Sequence, residues 1–283
     1  MALPSYAGPG EIAWYYGYRF ICGLIFLFLI IPILVIIPLS FNAVPFFTFT
    51  PEMLSFDPAG YSLRWYKDFL NNPQWIHSLQ NSFIIAIFST ILSTVLGTLA
   101  ALGLSKPFTP YKAAIMGALI SPMIVPLIIS ATGMFFFYTK VGLAQTHLGI
   151  ILAHTALGTP FVVITVTATL VGFDQSLIRA AQNLGAAPAT VFFKVIMPLI
   201  LPGVISGALF AFITSFDEVV VVLFLADFDQ RTIPLQMFSG LREQISPTIL
   251  AVATILVTIS ILLLTSVELL RRRSERLRGM TPQ

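Results

Sequence analysis

The sequence predicts an all-α integral membrane protein with six transmembrane helices. Its 283 residues are 57% hydrophobic and only 10% charged, and the mean hydropathy of +0.92 lies far outside the range of a soluble domain. Six apolar stretches are each long enough to cross a hydrocarbon core of about 30 Å, because a helix rises about 1.5 Å per residue. Polar segments separate these stretches, as expected for a chain that crosses a membrane repeatedly.

The six stretches define one transmembrane domain, which we place at residues 20–270. A cytoplasmic N-terminal segment (1–19) precedes it and a basic cytoplasmic tail (271–283) follows it. The first stretch is too long for a signal peptide and no small-residue cleavage site follows it, so we expect it to be retained. The predicted spans are roughly residues 20–41, 79–104, 113–138, 148–171, 199–226 and 247–269.

Prolines and small residues characterise the first three spans. Pro32 and Pro38 are expected to kink the first span. In the second span, small residues recur every four positions and allow close helix approach, which favours packing inside the bundle over contact with another subunit. The third span is interrupted by Ser121-Pro122 and Pro126, which either line the pathway or form an ordinary kink. The small residues of the second span are Ser89, Ser93, Gly97 and Ala101.

Polar and aromatic residues outside the apolar stretches give little indication of a ligand site. Residues 42–78 include Tyr61, Trp65 and Tyr66, which suit a membrane–water interface, so we favour an amphipathic connector. His154, just inside the fourth span, is expected to be a packed, hydrogen-bonded residue rather than a ligand. The three histidines have no metal-ligand spacing with an acidic cluster, so no metal site is predicted.

The fifth span contains two adjacent carboxylates, Asp217 and Glu218, directly after Phe216. Ionisable residues deep in a span are costly and usually mark function. On a continuous helix they would point about 100° apart, so one neighbouring helix could not cover both. Phe212 and Phe224 flank the pair, and aromatic faces attract ammonium groups, which favours contact with an amine-bearing substrate. The alternative is a buried pair hydrogen-bonded to Ser or Thr of another helix.

Between the fourth and fifth spans lies a helix–glycine–helix segment, residues 174–198, which we call the elbow. Asp174 is the predicted N-cap of its first helix, because its carboxylate can accept from the unpaired amides of the first turn. Gly185 can adopt the left-handed backbone that ends this helix, and Pro188 suits the first turn of the next. The segment is therefore either a docking part in the water phase or an ordinary tight loop.

Charge predicts the orientation of the chain. Six spans place both termini and the elbow on one side, where ten of the 15 Lys and Arg residues lie, against five on the other side. Because positive residues stay in the cytoplasm, we expect this side to be cytoplasmic. The net charge of +3 is concentrated at the C-terminus and does not indicate nucleic-acid binding. No Walker P-loop is present, so nucleotide-driven work would need a partner.

The elbow resembles the EAA loop of ABC-importer permeases. Ala180, Ala181, Gly185 and Pro198 match that motif in identity and spacing, whereas Arg179 stands where the family usually has Glu. In this family the loop is the cytoplasmic coupling helix that seats in a groove of the ATPase subunit. The resemblance therefore implies that these five residues couple ATP hydrolysis to transport.

Four further segments look like permeases of spermidine/putrescine importers. The resemblance implies a type I permease fold in the bacterial inner membrane, a second permease subunit, an ATPase dimer and an extracytoplasmic substrate-binding protein. ATP-Mg would bind in the ATPase subunits, with no enzyme activity or cofactor on this chain. Polyamines are the expected substrates, and other amino compounds stay open as alternatives. The alternative classes of protein are a secondary transporter, a channel and a membrane enzyme. The segments are residues 62–66, 215–220, 234–237 and 245–248.

Overall fold

The computed structural model describes residues 8–106, 108–171, 173–174, 176–243 and 246–277, and these ranges contain helices and no β-strand. Residues 1–7 and 278–283 of the two predicted terminal segments, and Ile245 of the last family-like segment, lie outside them. In chain order the helices are α1 (Pro9–Leu39), α2 (Pro51–Leu54), α3 (Arg64–Asn71), α4 (Pro73–Ser105), α5 (Lys112–Ile124), α6 (Leu127–Val141), α7 (His147–Val171), α8 (Ser176–Asn183), α9 (Pro188–Val191), α10 (Met197–Phe216), α11 (Val220–Leu225), α12 (Ile233–Glu243) and α13 (Thr248–Leu277).

The chain forms two compact units, of which the first combines Met1–Asn72 with Gly240–Gln283. In this unit α1 begins eleven residues before the predicted span, because Pro9 occupies the first helical turn and the Glu11 carboxylate accepts the Gly8 N–H at 3.1 Å. The helix continues without interruption through both internal prolines, Pro32 and Pro38. Part of the predicted N-terminal segment is therefore an extension of the first helix.

Aromatic side chains join the polar connector of the first unit to the end of α1. The Trp65 indole N–H donates to the Asn42 carbonyl at 2.7 Å, and the Tyr66 hydroxyl lies 2.6 Å from Ser40 Oγ. The Thr248 hydroxyl, at the start of α13, donates to the Asp68 carboxylate at 2.7 Å. The connector thus links both long helices of this unit, and its aromatic residues serve packing.

The second unit, Pro73–Ser239, is built around close contacts among α4, α7 and α10. A Cβ added at Gly97 would lie 2.6 Å from Val162 Cβ, and one added at Gly158 would lie 3.0 Å from Ala211 Cβ. These separations require glycine at both positions. Ser89, Ser93, Gly97 and Ala101 are all buried, which confirms that the small residues of the second span pack inside the bundle.

The third predicted span is broken into α5 and α6, which meet at an angle of 101°. The break falls at Val125 and Pro126, because Pro126 lacks the N–H that would continue the helix and disfavours helical backbone in Val125. Pro122 lies within α5, so the predicted interruption at Ser121-Pro122 is wrong. α6 packs against α11 instead of extending α5 as one rod.

Within the described residues, four helices are long and apolar enough to cross a membrane: α1, α4, α7 and the helix pair that continues from α9 into α10. The bent α5–α6 pair brings the number to five if it is counted as one span. The described apolar part of α13, Thr248–Leu262, is shorter than these spanning helices. The chain is thus an all-α protein with several membrane-spanning helices, and six spans stay a prediction.

Candidate functional site

The elbow is a helix–turn–helix whose turn is set by one glycine. Gly185 has a φ of +77°, in the left-handed region, and its N–H donates to the Gln182 carbonyl at 2.9 Å. The Ala186 N–H donates to the Ala181 carbonyl at 3.1 Å. These two bonds form a Schellman motif, in which residues beyond the helix satisfy its last carbonyls. Gly185 therefore follows Ala181 by four residues because the Schellman motif places its left-handed residue at that distance from the carbonyl that it caps.

The predicted N-cap residue, Asp174, bonds to the first residue of α8. Asp174 Oδ1 accepts the Ser176 N–H at 2.8 Å, where α8 begins. This backbone hydrogen bond is the main reason that the pKa of the Asp174 carboxyl is lowered, and Arg179 contributes a smaller electrostatic effect. Gln175, between the two bonded residues, lies outside the described part of the chain.

The second half of the elbow enters the fifth span through a wide helical turn. Phe192–Ile196 form a π-helical turn, and the Met197 N–H bonds to the Phe192 carbonyl. Pro198 explains the wide turn, because it has no N–H to offer the Lys194 carbonyl and its ring would clash with that group. Of the family-motif residues, Pro198 thus shapes the entry of the chain into α10.

The elbow rests on the core of the second unit while its outer face is exposed. Phe173, Ile196 and Met197 pack against a buried cluster supplied by α4, α7 and α10. Arg179, Ala180, Gly185 and Pro198 are exposed, and Ala181 is half-buried. Four of the five motif residues therefore lie on α8 and at its Gly185 turn, and Pro198 lies at the start of α10. The buried cluster consists of Ala101, Val162, Val166, Leu170, Ile200, Val204 and Ala211.

The predicted acidic pair lies at a break in the fifth span. α10 ends at Phe216 and α11 begins at Val220, so Asp217 and Glu218 do not lie on a continuous helix. The prediction that they project about 100° apart from one helix is therefore wrong. The break arises because Asp217 takes a φ of −93° and a ψ of 0°, which ends the helical run.

The two carboxylates have different surroundings. Glu218 is buried, with 8% of its surface exposed, and its Oε1 accepts the Val221 N–H at 2.9 Å. It therefore satisfies one of the free amides at the start of α11. Asp217 is exposed. The alternative of a buried pair bonded to Ser or Thr of another helix does not describe this geometry, because Glu218 bonds to nearby backbone.

Aromatic rings lie beside the acidic break. The Phe216 ring stacks on Phe212 with centroids 5.7 Å apart and meets the edge of Phe83 at 5.4 Å. Phe224, also expected near the pair, packs against another buried cluster formed largely by α6, α7 and α11. Asp217 together with Phe216 thus combines an exposed negative charge with an aromatic side chain, a pairing suited to an organic cation.

The sequence reasoning missed a buried polar contact two residues before Asp217. His154 Nδ1 lies 2.8 Å from Ser215 Oγ, which in turn lies 2.9 Å from Ser89 Oγ. The prediction of a packed, hydrogen-bonded His154 is confirmed, but its contact with Ser215 on α10, and the bond from Ser89 on α4 to Ser215, were not foreseen. Polar residues at buried depth in three apolar stretches were the available signal, since such residues need partners. Among the described residues, no group of three or more His, Cys, Asp or Glu could hold a metal ion.

The elbow and the acidic break lie at opposite ends of α10, which has 20 residues and spans about 30 Å. They are therefore two separate features joined by one helix. The elbow exposes charged and apolar side chains, and the break combines a carboxylate with an aromatic ring. Neither contains the nucleophile, base and oxyanion arrangement of a catalytic centre in the described residues.

Sequence comparisons find transport-system permeases among the relatives of the chain. The family model described as "Binding-protein-dependent transport system inner membrane component" matches residues 93–276. The chain is 32% identical over 250 residues to the spermidine/putrescine transport system permease protein PotC of Haemophilus influenzae, covering 88% of this chain and 94% of that protein. It is 30% identical over 239 residues to the putrescine transport system permease protein PotI of Escherichia coli K12, covering 82% of each.

A structural comparison supports the fold. A chain in the crystal structure of a bacterial ABC transporter involved in the import of the acidic polysaccharide alginate superposes with a TM-score of 0.70, at 16% identity, covering 95% of this chain and 99% of that one. This likeness concerns the fold alone. The sequence matches show that the chain belongs to the family of inner membrane components of binding-protein-dependent transport systems, as a permease subunit of an ABC importer.

Proposed function

We propose that the chain moves a small amine-bearing solute, a polyamine, into the cell by ATP-driven alternating access. In this proposal six spans place both termini and the elbow in the cytoplasm. A second permease subunit, an ATPase dimer and an extracytoplasmic substrate-binding protein complete the transporter. ATP-Mg binds to the ATPase subunits, and this chain neither hydrolyses ATP nor holds a cofactor.

The observation that carries the coupling role is the exposed, internally capped elbow on the buried cluster of α4, α7 and α10. A rigid end at Gly185 transmits force better than a loose loop, because its backbone bonds are already made. Phe173, Ile196 and Met197 give the elbow direct contact with the cluster. A push by the ATPase subunits would therefore move the three helices together, which is the rigid-body motion that alternating access requires.

The substrate class rests on the acidic break and on the relatives. Asp217 is exposed and can attract an ammonium group, and the adjacent Phe216 supplies an aromatic ring that also contacts Phe212. Glu218 acts indirectly, because its carboxylate holds the start of α11 and so fixes the shape of the break. Relatives named for spermidine/putrescine and for putrescine transport support a polyamine in particular.

Transport by the reconstituted complex tests the proposal. Proteoliposomes containing both permeases, the ATPase dimer and the binding protein should take up spermidine or putrescine, which should also stimulate ATP hydrolysis more than an amino acid or a glucoside does. Asp217→Asn should reduce uptake strongly while the complex still assembles. Glu218→Gln, which keeps an acceptor oxygen, should retain more uptake than Asp217→Asn. Uptake unchanged by Asp217→Asn would refute its contact with the cation.

The same vesicles separate an ATP-driven importer from a secondary transporter or channel. Uptake should disappear when ATP or the ATPase subunits are left out, because this chain contains no P-loop. Uptake that persists without them, driven by an ion gradient or by the solute gradient, would overturn the importer mechanism.

A further inference from the structure

We propose that the elbow selects an ATPase subunit whose docking groove is apolar inside and acidic at its rim. This inference rests on the coupling role proposed above and adds the chemistry of the partner.

The exposed apolar side chains of the elbow form a knob. Leu184, at the turn, is 89% exposed, Phe193 is 67% exposed and Leu177 is 43% exposed. α8 packs against the π-helical turn that contains Phe193, so the two halves of the elbow lie together. Leu177 and Leu184 lie outside the helices that are long enough to cross a membrane, and large apolar side chains exposed there indicate a protein contact, where their burial is favourable. The matching groove should therefore be lined with apolar residues.

The charges of the elbow favour an acidic rim. Among residues 174–198 the charged residues are Asp174, Arg179 and Lys194. Asp174 Oδ1 already accepts the Ser176 N–H at the start of α8, so part of its negative charge is used there. Arg179 and Lys194 are exposed. The groove thus meets two outward cations, and carboxylates at its rim would attract them, whereas basic residues there would repel them.

Charge reversal in the assembled transporter tests this inference. The affinity of the ATPase subunits for nanodisc-embedded permeases should fall about fivefold with Arg179→Glu and further when Lys194→Glu is added. Lys140→Glu, the same reversal at an exposed cation at the end of α6, is the matched control and should have no effect. Arg179→Gln should make the affinity less dependent on salt, because one screened attraction is lost.

A second step identifies the acidic partner. Each carboxylate at the rim of the ATPase groove is replaced by Lys in the Arg179→Glu background, and one such replacement should restore binding and transport. The acidic rim would be overturned if no Lys replacement restored binding and if the Arg179 variants bound the ATPase subunits with the affinity and salt dependence of the wild type.

An apolar control distinguishes this failure from failure of the coupling role. Leu184→Asp, at the most exposed position of the knob, should abolish docking if the elbow seats in an ATPase groove at all. If Leu184→Asp disrupts binding and the charge variants do not, the coupling role stands and the acidic rim is wrong. If neither disrupts binding, both proposals are wrong.

Discussion

A substitution at Gly185 should disfavour the turn of the elbow without creating a clash with neighbouring atoms. An added Cβ would have no heavy atom within 4 Å, so a side chain there meets open space. The φ of +77° is nevertheless unfavourable for L-residues with a Cβ. We expect Gly185→Ala to cost about 1 kcal/mol and Gly185→Val about 2 kcal/mol, which lowers the ratio of bent to unbent elbow about 5-fold and about 30-fold.

The assay is the ratio of solute imported to ATP hydrolysed in proteoliposomes. Because the bent elbow is what would seat in the ATPase groove, this ratio should fall in the order wild type, Gly185→Ala, Gly185→Val. Gly185→Asn is the matched control, because asparagine tolerates left-handed backbone and should keep most of the coupling. Hydrogen exchange at the Ala186 amide, bonded to Ala181 in the turn, should rise in the same order.

Two results would refute this reasoning. Full coupling in Gly185→Val would show that the turn does not transmit work. Equal losses in Gly185→Asn and Gly185→Val would show that the presence of a side chain matters, and the backbone conformation does not.

Three further predictions follow from other contacts. Gly97→Ala should destabilise the protein by about 1–2 kcal/mol in thermal unfolding, because its Cβ would overlap another helix, whereas Gly103→Ala in the same helix meets open space and should be neutral or slightly stabilising. Glu218→Ala should lower the free energy of unfolding by about 1–2 kcal/mol through loss of the α11 amide bond, and Glu218→Gln should recover most of it; equal losses would contradict the capping role. The pKa of Asp174 is lower in the folded protein than its ordinary value of 3.8, so its bond to the Ser176 amide stabilises α8 fully above pH 3.8. This stabilisation is lost as the pH falls through the folded pKa. Hydrogen-exchange protection of α8 should therefore decline in acid in the wild type but not in Asp174→Asn.

The elbow was predictable because its determinants are local. An N-cap at Asp174, a left-handed glycine at Gly185 and a proline in the first turn at Pro188 each depend on a few neighbouring residues. The acidic break was not, because the sequence there continues an apolar run that reads as one helix. Whether Glu218 turns to the Val221 amide or projects from a helix depends on the packing of α11 against α6 and α7.

The sequence by itself determined the membrane class, the small-residue stripe of α4 and the helix–glycine–helix form of the elbow, because hydropathy, residue size and turn chemistry are properties of adjacent residues. Only the tertiary structure decided that α5 and α6 meet at 101° and that Asp217 is exposed while Glu218 is buried. It also decided that His154 meets Ser215, 61 residues away along the chain. Such contacts depend on which helices pack against each other in the folded protein, and no local pattern in the sequence specifies that packing.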